Sequence, residues 1–241
     1  MNKQKKYIAI GIIIIAAIII IWIVASNSNK NAVAQNNNMN HEAMNHNQHD
    51  NNQNLTNQSI EEYLKEQDMI MSNMMNDMEN IPKSENASID FLVGMIPHHE
   101  SAIAMAESYL KYGEENEELK QIAKDIIELQ QKEIGQMNSM IQDLEMSGKK
   151  DADKEQLYLN EYNNMFSQHH MNHTSSALPN SVSEAFADGM IMHHQMAIDM
   201  SKAILNYSDE ETIKKFAQDI IDVQEKEISQ MQNILNSLKN S

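Results

Sequence analysis

Gly94 to Ala106 reads GMIPHHESAIAMA, and Gly189 to Ser201 reads GMIMHHQMAIDMS. The chain therefore carries one motif twice, at a register of 95 residues (189 minus 94). In each copy two adjacent histidines sit between a methionine three residues before and another seven after: Met95, His98, His99, Met105, then Met190, His193, His194, Met200. Helical neighbours lie three, four and seven residues apart. Met95, one of His98 and His99, Ala102 and Met105 thus share one stripe, and the second copy repeats it. A stripe of thioethers and imidazoles suits a soft transition metal, with copper first. The spacing predicts a helix in each copy, and its residue types predict one metal site per copy.

Working outward, the flanks repeat as well. Ile60, Leu64, Met71, Met74 or Met75, and Met78 recur at helical steps from Ser59 to about Glu79, where Ile81-Pro82 ends the pattern. Ser88 is the predicted N-cap of the first histidine helix and Gly113 its far end. Pro97 lies inside that helix, where it removes a backbone bond or bends the chain; the second copy has Met192 there. A third helix is predicted from about Glu114 to Met146, stopping at Gly148, with an inner stripe of Ile122, Ile126, Leu129 or Gln130, Glu133, Met137 and Ile141. The same order returns downstream: Tyr63-Leu64 matches Tyr158-Leu159, while Met74, Met75 and Met78 fall on His169, His170 and His173. Exchange of one ligand type for another at three matched positions points to a shared use, although methionine also fills irregular cores well.

After one deleted residue the third helices align at 94: QQKEIGQM (Gln130 to Met137) faces QEKEISQM (Gln224 to Met231). Glu133 and Glu227 lie one turn from Met137 and Met231, so carboxylate, amide and thioether share a face. Those glutamates sit among isoleucines and are expected to point inward, where a metal or an imidazolium would partner them. The competing arrangement is a surface pair with Lys132 or Lys226. Two histidine helices and two Gln/Glu/Met helices make four amphipathic segments. That predicts an all-α, antiparallel four-helix bundle in which repeats 59–148 and 149–241 pack together, with the first helix of each repeat alongside.

Composition agrees. The 241 residues include 6 Gly and 3 Pro, which disfavours a turn-rich β protein. Thirty-five acidic residues against 18 basic ones, a net charge of -17, make nucleic acid an unsuitable partner and cations a suitable one. Cysteine is absent, so disulfides and thiolate metal sites are excluded. The 20 Met and 10 His supply the remaining soft and borderline donors.

Lys3, Lys5 and Lys6 precede an uncharged apolar run, Ile8 to Ala25, with Trp22 near its end. As a helix this run is about 27 Å long, enough for a bilayer core, and the lysines place its start in the cytoplasm. Residues 1–25 are therefore expected to be a single-pass anchor, with the rest of the chain outside the cytoplasm. Ala32-Val33-Ala34 offers the alternative of signal cleavage and a secreted or periplasmic protein. Residues 26–58 are rich in Asn and Gln and are expected to form a disordered tether. Its His/Met tract, with Met39, His41, Met44, His46 and His49, suits metal capture.

The duplicated M-x-x-HH-x-x-A-x-x-M helix followed by Q-x-x-E-I-x-x-M resembles the ferritin-like bacterial domains long labelled as of unknown function, a family that includes the CopM-type copper-binding proteins. The resemblance covers residues 59 to 240. It implies a helical bundle that binds copper, Cu+ or Cu2+, and also Ag+. Carried over by position, it implies Met95, His98, His99, Met105, Glu133 and Met137 as metal residues, with Met190, His193, His194, Met200, Glu227 and Met231 in the second copy. The expected role is metal sequestration, resistance or metallochaperone transfer outside the cytoplasm, without enzymatic activity, with a copper exporter or acceptor protein as partner. Two alternatives stand beside it. A ferritin-like metalloenzyme would use Glu-x-x-His pairs, and none occurs at either site. A metal-free membrane-tethered interaction bundle would explain the helices and leave the histidines idle.

Overall fold

Helical periodicity without strand-forming runs gives an all-helical protein. The computed structural model describes residues 47–113, 116–171 and 179–239, and only the backbone path for 47–56, 166 and 168–171. Six helices occupy the described residues: α1 (Asn47–Glu79), α2 (Ala87–Tyr112), α3 (Glu117–Ser147), α4 (Ala152–Met171), α5 (Val182–Tyr207) and α6 (Glu211–Lys239). Both ends of α5 stand 95 residues beyond those of α2, and α6 starts 94 beyond α3, so the sequence register survives as structure.

The ends follow local chemistry. Asn86 caps α2, its side chain accepting a hydrogen bond from the Ser88 amide at 2.9 Å. The predicted cap, Ser88, is instead a residue of the first turn. Asn86 holds the extended backbone (φ −147°) that a cap requires, and the Ser88 hydroxyl bonds Ser208 across the bundle at 2.8 Å. Asn116 caps α3 through the Leu119 amide, and Ser181 caps α5 through the Glu184 amide. Gly148, at φ 65°, ends α3 in the left-handed conformation that glycine adopts freely. Pro97 is accommodated within a continuous α2. The first helix begins at Asn47, twelve residues before the predicted start. Residues 47–58, assigned to the tether on composition, continue it without a Gly or Pro to interrupt propagation.

Residues His46–Ser241 form one compact unit. Short connections fold α3 back on α2 and α6 back on α5. The two histidine helices pack on each other, and α3 touches α6 to close a four-helix core. α1 covers α2 and reaches α5, while α4 covers α5 and reaches α2. α2 thus meets four other helices, and its buried set runs around its circumference. Two apolar clusters fill the bundle. One is centred on Phe91, Leu92, Met95, Tyr158 and Met200; the other on Tyr63, Met105, Tyr109, Phe186 and Met190. Burying a side chain of this size is worth about 1.5–3 kcal/mol each.

Among the described residues no helix is long and apolar enough to cross a membrane. The expected membrane segment Ile8–Ala25 lies outside them, as do Met39, His41, Met44, His46 and His173. Of His49, His169 and His170 only the backbone is described, on α1 and α4.

Candidate metal centre

The periodicity that builds α2 allows one of two adjacent histidines on an inward stripe. Both are buried in each copy: His98 and His99 at 0% exposure, His193 at 1% and His194 at 0%. Packing on several sides gives each ring its own neighbour. His98 turns toward α5, where its ring lies 3.8 Å from that of His193, centroid to centroid, tilted by 41°. His99 turns toward α3, with Nε2 2.8 Å from Glu133 Oε2. His194 repeats this toward α6, 2.7 Å from Glu227 Oε2. The inward reading of Glu133 and Glu227 holds, since both are buried and neither pairs with Lys132 or Lys226. The contact they make is with an imidazole.

These partners fix protons. A carboxylate only accepts, so His99 and His194 each donate from Nε2. His98 Nε2 lies 3.0 Å from the His193 backbone carbonyl, also an acceptor only, and likewise donates. The Nδ1 atoms of His99, His193 and His194 are buried without a hydrogen bond among the described residues. Burial above all, and then the His98, His194 and His99 rings, hold the His193 imidazole well below its ordinary pKa. It is therefore neutral at pH 7. A buried imidazole nitrogen without a partner, in a ring oriented by a carboxylate on its other nitrogen as in His99 and His194, has the chemistry of a metal ligand with its supporting group. The donor set present fits a metal on that count.

The methionines take two places. Met74, Met75, Met78, Met95, Met137 and Met200 belong to one apolar cluster. Met105, Met190 and Met231 belong to the other. The two methionines of one motif are therefore separated, and each joins the opposite methionine of the other copy: Met95 with Met200, Met105 with Met190. Antiparallel crossing of α2 and α5 causes this exchange. A Cβ on Gly94 would stand 3.6 Å from Met200 Cε, and one on Gly189 would stand 3.6 Å from Met105 Cε. Both are ordinary van der Waals distances, and the nearest atom to a Cβ on Gly94 would be the Tyr162 hydroxyl of α4, at 3.3 Å. The histidines lie on the same two helices between these methionine ends, and the glutamates meet them from α3 and α6.

Among the described residues no three His, Asp or Glu side chains converge to hold a metal by themselves. A surface cavity of about 350 Å³, lined by Asn86, Lys149, Lys150, Lys154, Tyr207 and Glu210 among others, contains none of the predicted ligands. The sequence left Leu129 or Gln130 open on the α3 stripe; Gln130 is the buried one, with its Oε1 unpartnered, as is Oε1 of Gln224 in α6. Sequence reasoning missed Ser101, whose hydroxyl lies 2.5 Å from His193 Nε2. The available signal was a polar residue where the other copy has Met196.

A family model described as domain of unknown function (DUF305) matches the chain twice, over residues 24–141 and 89–235. Among curated proteins, the uncharacterized protein L153 of Acanthamoeba polyphaga mimivirus is 48% identical over 54 residues, 22% of this chain. The match spans 36% of that relative's length. Among solved structures, CopM in a silver-bound form is 28% identical with a TM-score of 0.47, over 64% of this chain and 98% of that one. CopM in the Cu(II)-bound form is 27% identical with a TM-score of 0.47, over 63% and 97%. A DUF305 fragment from Deinococcus radiodurans is 20% identical with a TM-score of 0.46, over 65% and 99%.

Proposed function

The chain belongs to the family of the domain of unknown function DUF305, and from that premise we propose that it binds copper, and silver with it, in the core of its doubled bundle. The observation that carries this reading is the pair of buried His–Glu contacts, each leaving an unpartnered imidazole nitrogen inside a methionine-rich core. Among the described residues, histidine and acidic side chains do not close a site alone. A metal held here would draw on thioethers, and thioethers select Cu(I) and Ag(I) over harder ions. Glu133 and Glu227 then orient His99 and His194, while methionines such as Met95, Met105, Met190 and Met200 supply sulfur. The alternation of methionine and histidine along Met39–His49, and the exchange of Met74, Met75 and Met78 for His169, His170 and His173, support the same use.

The role is sequestration or transfer of metal, not catalysis. The apolar run Ile8–Ala25 supports a membrane-held bundle outside the cytoplasm, where absence of cysteine is no handicap because thiols oxidise there. The tract 39–49 would capture metal and pass it to the bundle, or to an exporter or acceptor protein. Titration of the full chain with Cu(I), Ag(I) and Zn(II) tests the reading. Cu(I) and Ag(I) should outcompete Zn(II) and remain bound after desalting.

One observation favours a second reading, a metal-free interaction bundle: Met95, Met105, Met190 and Met200 are all packed in apolar clusters, where they serve as core. Under that reading no metal survives desalting.

A further inference from the structure

Three of the four central histidines meet a pure acceptor at Nε2, the His193 carbonyl for His98 and a carboxylate for His99 and His194. His193 meets a hydroxyl, which can donate or accept. Ser101 Oγ lies 2.5 Å from His193 Nε2, 2.7 Å from the His98 carbonyl and 2.9 Å from Met74 Sδ. Ser101 has one proton to give. If it went to His193, the ring's own proton would sit on Nδ1, which is buried with no hydrogen-bond partner; a buried orphan donor is costly. If it goes to the His98 carbonyl, Ser101 accepts from His193 Nε2–H, and each of these protons has an acceptor.

That arrangement also closes a reciprocal lock between the copies. His98 donates to the backbone carbonyl of His193, and His193 donates through Ser101 to the backbone carbonyl of His98. Copy two has Met196 at the position of Ser101, so only one of the two stacked rings is held through a hydroxyl.

We propose that Ser101 is a positioning residue that holds His193 in the Nε2–H tautomer, leaving Nδ1 as the nitrogen with the free lone pair. Its consequence for binding rests on the metal reading above; the tautomer does not. His193 then presents the same nitrogen as His99 and His194, and a neutral imidazole with a free lone pair is the form that ligates metal. The hydroxyl stands to His193 as the carboxylates of Glu133 and Glu227 stand to the other two.

The test uses the full chain labelled with 15N in histidine, with the His193 signals identified by their loss in His193→Gln. Long-range 1H–15N spectra report which ring nitrogen carries the proton. His193 should read as Nε2–H in the native chain and in Ser101→Thr, and as a mixture or as Nδ1–H in Ser101→Ala. A native His193 protonated at Nδ1, or a Ser101→Ala spectrum identical to the native one, overturns the proposal. Should the added methyl of Ser101→Thr prevent folding, native against Ser101→Ala decides alone. Titration with Ag(I) then reads the consequence. Ser101→Ala should bind about 10-fold more weakly, the loss typical of a removed supporting partner, while its thermal unfolding stays near native. Equal Ag(I) affinity in native chain and Ser101→Ala overturns the role of Ser101 in binding. If the native chain takes up no Ag(I), the metal reading falls while the spectra still judge the tautomer.

Discussion

At the scale of the residue, the buried carboxylates behave in two ways according to their partners. Glu133 and Glu227 face imidazoles. Replacing either by Gln keeps the shape and removes the charge-assisted bond, so Ag(I) affinity measured by competition should fall about 10- to 100-fold. The loss should be smaller if the glutamates serve packing alone. Asp90, fully buried at the start of α2, faces Glu155 instead. Burial, and then the Glu155 carboxylate beside it, push its pKa up to about 6, although hydrogen bonds from Ser84 pull it down. Because the folded value lies above the unfolded one, its contribution to stability is complete below about pH 4 and is lost as pH rises through 6. The amount is at most roughly 3 kcal/mol. Urea unfolding of Asp90→Asn across pH 4 to 7 should show a flatter profile than the native chain, with the variant gaining relative stability at pH 7. Parallel profiles would mean that Asp90 does not carry this slope.

At the scale of the element, two glycines should respond to alanine with opposite signs. Gly135 is exposed in the middle of α3, and an added Cβ would meet nothing within 4 Å. Gly135→Ala should therefore raise stability by about 0.5–1 kcal/mol through the helical preference of Ala. Copy two has Ser229 at this place. Gly113 ends α2, and a Cβ there would lie 2.4 Å from the Tyr109 carbonyl and 2.6 Å from its ring. Tyr109 cannot yield freely, because it is fully buried and stacked on Phe186 at 4.3 Å. Gly113→Ala should cost about 1–3 kcal/mol, the range for overpacking. Thermal unfolding of both variants checks the pair; equal shifts would remove the distinction between open and crowded helix positions.

At the scale of the molecule, the stack of His98 on His193 joins what the sequence presents as two sites. Changing His98 and His99 together to Ala should lower the Ag(I) retained by His193 and His194 as well, so the metal count should fall by more than half. A fall of half would restore two independent copies. Metal that binds only the folded bundle should also protect all of it. Ag(I) at 100 times its dissociation constant should add about 2.7 kcal/mol to unfolding, seen as one shifted transition; separate transitions would show that the repeats melt apart.

Helices, their duplication and their inward faces were set by the sequence itself, because 3.6-residue periodicity and the 95-residue register are local properties of the chain. Asn86 rather than Ser88 as cap was a near miss of two positions, and the choice between Leu129 and Gln130 as the buried residue was left open. Backbone angles and the tilt of a neighbouring helix decide those. The side chains that cluster at this crossing were all singled out from the sequence: His98, His99, His193, His194, Glu133 and Glu227. Their pairing was not. Which histidine meets a glutamate, which meets its counterpart, and which methionines share a cluster depend on the crossing of α2 and α5, which brings together residues about 95 apart in the chain. Spacing along one helix carries no information about that crossing. Only the packing of the two copies turned one motif written twice into a single interlocked cluster, with Ser101 between the His193 ring of one copy and the His98 carbonyl of the other.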